Sequence, residues 1–222
     1  MRANATTQRP VECPGDDTLQ APPQPLRLHV GSGRLPLPGW VNIDIQAFPE
    51  VDRVLDVRKG LPFRNAEAIY AEHFLEHLEL EETLAFLRSA RKALAPDGIL
   101  RLSTPNLDWV YLCLYRVNSA PPQEGLRLCF EINKAFHGWG HRFLFNGPML
   151  TAALRSAGFE RVDFCRYGES AVPFLRNLER HEKSPDTPEL PHVLIAEASG
   201  LGEGVPIPPE LLTDYRLVLS LR

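Results

Sequence analysis

Two groups of residues in this chain have types and spacings suited to chemistry. The first is Gly31-Ser32-Gly33, directly after the short apolar run Leu26–Val30, followed by Asp44 at the end of the next such run. A glycine turn after a strand lets the backbone approach a nucleotide closely. A carboxylate closing the following strand can accept both hydroxyls of a ribose, and a hydrogen bond to a charged acceptor contributes about 1.5–3 kcal/mol. The second group is rich in histidine. His73-Phe74-Leu75-Glu76-His77 matches H-x-x-E-H, the inverted zinc-peptidase pattern, in which histidines one helical turn apart ligate a metal and the glutamate acts as base. The competing reading is that Glu76 and His77 precede or begin a helix and make only local hydrogen bonds. His137 and His141, in KAFHGWGHRFLFNG, form another close pair, but two intervening glycines weaken any helical spacing. Histidine is readily tuned for acid–base work near neutrality, so these residues are candidates for catalysis.

The elements that must hold these residues are short. Val41–Ile45, Val51–Val57 and Ala66–Tyr70 are apolar runs bounded by turn residues, as expected of buried parallel strands. Leu80, Leu84, Leu87 and Leu94 share one face of a helix expected over Glu79–Ala95, stopped by Pro96-Asp97-Gly98. Ile99–Ser103 reads as the next strand. Asn146 reads as a helix N-cap with Pro148 in the first turn, and Val162–Tyr167 and His192–Ala198 as closing strands. Alternating strands and helices predict a mostly parallel α/β sheet with helices on both faces. Residues 106–145 fit no regular unit of that sheet and read as an insertion after a strand's carboxyl end, where open α/β sheets bind ligands. The final stretch, 206–222, alternates apolar and polar residues, which suits an added strand or a subunit contact; the oligomeric state is left open.

The 222 residues suit one domain better than two. Residues 1–25 are polar and carry Pro10, Pro14, Pro22, Pro23 and Pro25, so a loose extension or a lid over the ligand is expected. The domain proper would occupy 26–200, with 106–145 as a substrate cap and 201–222 as a C-terminal extension. A net charge of −4 gives no electrostatic reason to expect nucleic acid or an anionic membrane as partner. The four cysteines form no C-x-x-C pair, and no run approaches the length of a membrane span. A cytoplasmic protein with reduced thiols is the expectation.

Taken in order, VGSG, GWVNIDI, LDVRKGLPF, AIYAEHFLEHL, ARKALAPDGILRLSTPNL and LTAALRSAGFERV resemble the class I S-adenosyl-L-methionine (SAM)-dependent methyltransferase family over residues 26–167. The shortened GW turn resembles a bacterial subset of small methyltransferases. The resemblance implies a Rossmann-like seven-stranded sheet with SAM as cofactor. It implies that Gly31, Ser32 and Gly33 line the methionine and ribose, Asp44 binds the ribose and Ile45 packs on adenine. Asp56 and the backbone of Val57 would hold the adenine amino group, and Glu72 and His73 would face the sulfonium. Asp56 also reads as a plain turn-capping aspartate. The resemblance places LEH at residues 75–77, so no metal is expected there. There are two departures. His29 stands where the family has an acidic residue that orients the cofactor's amino group. Pro36, Pro38 and Gly39 make Arg34–Trp40 a poor helix, so the first helix should be missing or reduced to a turn.

SAM brings its own electrophile, so the protein's task is to hold a nucleophile in line. A small-molecule acceptor in the 106–145 region is expected, with His73, Tyr111, Tyr115, His137 and His141 as catalytic candidates. Tyr111, Tyr115, Trp139 and Phe143 could offer ring faces to a sulfonium, or simply fill the core. Two alternatives use the same fold. One is a cyclase in which the amine of SAM attacks its own γ-carbon, giving azetidine-2-carboxylate and methylthioadenosine. The other is a SAM-binding module without catalysis.

Overall fold

A computed structural model of the chain describes residues 25–114, 121–181, 187 and 189–220. The N-terminal extension to residue 24 and Tyr115 lie outside the described residues. Seven strands form one sheet: β1 (Arg27–Val30), β2 (Val41–Asp44), β3 (Arg53–Val54), β4 (Ala66–Glu72), β5 (Leu94–Pro105), β6 (Arg161–Cys165) and β7 (Val193–Ser199). Their order is β3-β2-β1-β4-β5-β7-β6. Only β7 is reversed, pairing antiparallel with both β5 and β6. The helices are α1 (Leu80–Ala93), α2 (Leu107–Leu114), α3 (Pro122–His137), α4 (Gly147–Ser156) and α5 (Pro209–Leu219).

Side chains of β4 alternate between two cores, as the two-residue period of a strand requires. Ile69 and Ala71 join the larger cluster with α1 residues Phe86 and Leu87 and α4 residues Leu150 and Leu154. Ala68 and Tyr70 face the smaller one, with Trp40, Leu175 and Leu178. Strand β1 has β2 on one side and β4 on the other, so the winding direction reverses between β1 and β4. Carboxyl ends of strands at such a switch point frame a crevice.

Parallel strands β1 and β2 are joined without a helix, as the prolines of Arg34–Trp40 foretold. Asn42 substitutes for it. Its Oδ1 accepts from Leu37 N at 2.8 Å, and its Nδ2 reaches the carbonyls of Leu37 and Trp40 and the carboxylate of Asp52. Five elements differ from the sequence reading. The third strand shrinks to Arg53–Val54, because Asp52 turns to Asn42 and Asp56 caps a 3-10 turn at Val57–Lys59. The long helix ends at Ala93 and β5 already begins at Leu94; Pro96 disfavours helical geometry at Ala95. The region 106–145, read as an insertion that fits no regular unit of the sheet, holds the helices α2 and α3. The penultimate strand ends at Cys165, short of Tyr167. The C-terminal stretch forms helix α5, with Pro209 in its first turn, and not a strand. No helix among the described residues is long and apolar enough to cross a membrane.

Candidate functional site

At the end of β1, Gly31 and Gly33 take positive φ angles of 68° and 53°. A Cβ on Gly31 would lie 2.8 Å from the ring of Phe74, so that position demands glycine twice over. A Cβ on Gly33 would meet nothing within 4 Å, which marks open space above the turn. Asp44 borders that space. Its carboxylate is oriented by Gly33 N–H and Gln46 N–H, each at 2.9 Å, and both oxygens keep lone pairs for further donors. Ser32 is buried, and its Oγ has no hydrogen-bond partner among the described residues. Ile45 beside it is 56% exposed, an apolar face next to the carboxylate. Open space, a carboxylate with spare acceptors, an orphan hydroxyl and an apolar platform fit an adenosine.

Across the switch point, Glu72 ends β4. It accepts from Arg180 N (2.7 Å), His181 N (3.1 Å) and His181 Nδ1 (2.8 Å). Burial alone would raise its pKa, but these hydrogen bonds and the charge of His181 prevail and hold it down at about 2. Arg180 also reaches His29 Nε2 and the carbonyl of Leu35. Leu37 N–H already donates to Asn42 Oδ1, which identifies that atom as the acceptor for His29 Nδ1–H at 3.0 Å. His29 Nε2 then accepts from Arg180. Burial pushes the His29 pKa down to about 4, so the ring is neutral. Where the resemblance called for a carboxylate, the structure has a neutral ring beside a guanidinium. Arg180 and His181 carry no motif that the sequence reading could have found.

His73 adopts φ 47° and donates through Nδ1 to Glu76 Oε1 at 2.9 Å. Burial opposes its charged form, yet the hydrogen bond and charge of Glu76 outweigh that and raise its pKa. Its ring meets His181 edge-on with centroids 4.9 Å apart. Residues Leu75–His77 form a 3-10 turn, so His73 and His77 do not share the α-helical face that the peptidase pattern needs. His77 instead meets His141, with centroids 5.4 Å apart.

The other candidates are spread out. Asp56 is drawn to Arg58, accepting from its N–H at 3.2 Å and its Nε at 2.8 Å, which is the turn-capping arrangement. Val57 is buried in the larger core. Tyr111 stands exposed on α2, and His137 is exposed at the end of α3. A cavity of about 720 Å³ opens over the carboxyl end of β5 and the adjoining ends of β6 and β7. Its polar lining includes Asp108, Arg166, Tyr167, Glu169, His181 and His192. His181 therefore touches both the cavity and Glu72.

No curated protein sequence matches the chain. Among solved structures, a SAM-dependent methyltransferase from Archaeoglobus fulgidus superposes with a TM-score of 0.49 at 15% identity, covering 79% of this chain and 86% of that one. PigF with SAH gives 0.47 at 17% identity, over 78% and 50%. The CMeT domain of the citrinin polyketide synthase gives 0.46 at 15%, over 80% and 47%. The chain thus spans about half the length of the latter two. The family profile described as "Methyltransferase domain" matches residues 8–163, which is well over half of the sequence, and the chain belongs to that methyltransferase family.

Proposed function

We propose that the protein is a SAM-dependent methyltransferase acting on a small molecule, with a role in secondary metabolism. The observation that carries this reading is the Asp44 carboxylate, held by Gly33 N–H and Gln46 N–H beside open space at the switch point. Gly31 and Gly33 present backbone to the methionine and ribose portion, Asp44 takes the ribose hydroxyls and Ile45 covers one adenine face. Asp56 would have to release part of Arg58 to receive the adenine amino group, helped by the backbone of Val57. Glu72 fixes Arg180 and His181, and Arg180 pairs with the carboxylate of the methionine tail.

Bound SAM supplies an electrophilic methyl on its sulfonium. The protein's contribution is to hold an acceptor in line with it, and such positioning accounts for roughly 7–11 kcal/mol of a barrier. The cavity beside His181 is the acceptor site in this reading, and its volume lies in the ordinary range for small-ligand pockets. His73, with Nδ1–H committed to Glu76, keeps Nε2 to take a proton from the acceptor.

Incubation with SAM alone, then with SAM plus cell extract, tests the reading by mass spectrometry of the products. S-adenosylhomocysteine formed only with extract is the expected result. Methylthioadenosine from SAM alone would report cleavage at the γ-carbon instead. Tight SAM binding with neither product would leave a binding module.

A further inference from the structure

The two histidine pairs of the sequence do not act as pairs. The fold takes one histidine from each and sets Glu76 with them: the donor atoms of Glu76, His77 and His141 all lie within 4.8 Å of one another. The approach is built by backbone. Arg142 N–H and Phe143 N–H both donate to the carbonyl of Glu76, at 2.6 and 3.3 Å, which clamps the loop after α3 onto the 3-10 turn after β4. Trp139 and Gly140 take positive φ within that loop, at 52° and 78°, and the turn they make carries His141 over His77.

Two of the three groups are also oriented from behind. The Glu76 side chain is fully buried, and its two oxygens accept from His73 Nδ1–H and Thr104 Oγ1–H, each at 2.9 Å. Each carboxylate oxygen retains a lone pair. His141 lies 2.7 Å from the carbonyl of Ala135 through Nδ1. A carbonyl only accepts, so Nδ1 carries the proton and the lone pair is on Nε2. Metal-binding histidines and carboxylates are characteristically fixed this way by a second layer of hydrogen bonds. An exposed and a half-buried histidine stacking by chance would require neither a buried carboxylate beside them nor a locked tautomer.

We infer that Glu76, His77 and His141 form a site for a divalent transition-metal ion, Zn²⁺ foremost. Two imidazoles and one carboxylate suit a borderline ion of the first transition row, whereas Mg²⁺ and Ca²⁺ favour oxygen-only shells. Tetrahedral bonds of about 2.0–2.2 Å set the donors about 3.4 Å apart, so donors spread over as much as 4.8 Å must close by up to about 1.4 Å, which rotation of the exposed His77 side chain supplies. Three protein ligands leave a fourth position for water or for an oxygen of a bound molecule. The set begins three residues after His73, at the carboxyl end of β4. This inference does not depend on the cofactor reading.

The test uses the full chain without a polyhistidine tag, cleared of metal with a chelator. Calorimetric titration with Zn²⁺ should show about one equivalent bound. Co²⁺ should develop visible absorption of a low-symmetry site with nitrogen ligands. His77→Ala and His141→Ala should each weaken Zn²⁺ binding by at least about tenfold, while His137→Ala leaves it unchanged. These histidines are not fully buried, so the variants remain folded, which circular dichroism checks. Absence of Zn²⁺ binding by the wild-type chain overturns the inference, as does equal affinity in the His77→Ala/His141→Ala double variant. Titration of the same samples with S-adenosylhomocysteine separates this outcome from failure of the cofactor reading.

Discussion

At the scale of single residues, the proposed cofactor cleft departs at His29 from what the family resemblance implies, and the buried ring has a measurable signature. The folded state keeps His29 neutral, with a pKa lowered from 6.5 to about 4. Between those values the unfolded chain binds a proton that the folded chain does not, so stability falls as pH drops through that window. The group is 1% exposed, and the effect is on the order of 3 kcal/mol. Glu72, with its pKa lowered to about 2, adds its own loss only from about pH 4.5 downward. Denaturant unfolding measured from pH 7 to pH 4 should therefore show a decline that His29→Gln flattens. Arg180 is the residue proposed to meet the ligand's tail. Arg180→Ala should weaken S-adenosylhomocysteine roughly tenfold or more, the worth of a lost charge-assisted hydrogen bond. Methylthioadenosine has no amino-acid tail, so its affinity should be unchanged. Equal losses for both ligands in calorimetry would remove Arg180 from the tail's recognition.

At the scale of elements, the segment that delivers Arg180 is held by the neighbouring residue. Arg101 on β5 is fully buried and pairs with Glu179 at 2.7 Å and with Glu197 on β7. Glu179 also accepts from Gly168 N–H, and its carbonyl receives the hydroxyl of Tyr167. Removing one partner of such a buried network strands a charge and costs about 3–5 kcal/mol. Glu179→Ala should lower stability by that order in denaturant unfolding, and should weaken S-adenosylhomocysteine in parallel by freeing Arg180. None of this was legible in the sequence, because Glu179 and Arg101 are 78 residues apart and Arg180 lies 151 from His29. Strands β1, β2 and β4 and helix α1 were legible, since each apolar run is bounded by its own turn or cap residues. The missing first helix was legible from Pro36 and Pro38. Helices α2 and α3 were not: exposed Tyr111, Leu112, Leu126 and Phe130 blur any apolar stripe. Helix α5 was read as alternation for the same reason, with Leu211, Leu217 and Val218 all exposed. At the site, Gly31, Gly33 and Asp44 were local in sequence and came together. His77 and His141 met only through a loop clamped by backbone hydrogen bonds, which no spacing encodes.

At the scale of the whole molecule, the cleft joins two halves of one sheet. The glycine turn and Asp44 belong to the β3-β2-β1 side, and Glu72 with its bound Arg180 to the β4-β5-β7-β6 side. A ligand that spans both halves binds only the folded chain and must stabilise it. At a concentration of 100 times its dissociation constant the gain is about 2.7 kcal/mol. For a chain of this length each kcal/mol moves the midpoint by about 2–4 °C, so the shift should be about 5–10 °C. Because β1 and β2 are linked without a helix, the glycine turn opens no helix N-terminus to receive a pyrophosphate, the feature on which dinucleotide sites rely. Thermal unfolding should therefore rise with S-adenosylhomocysteine and stay unchanged with NAD⁺ at the same concentration. Asp44→Asn should abolish most of the rise, since it halves the acceptor capacity facing the ribose while preserving shape. A rise with NAD⁺ and none with S-adenosylhomocysteine would show that the glycine turn and Asp44 hold a different nucleotide.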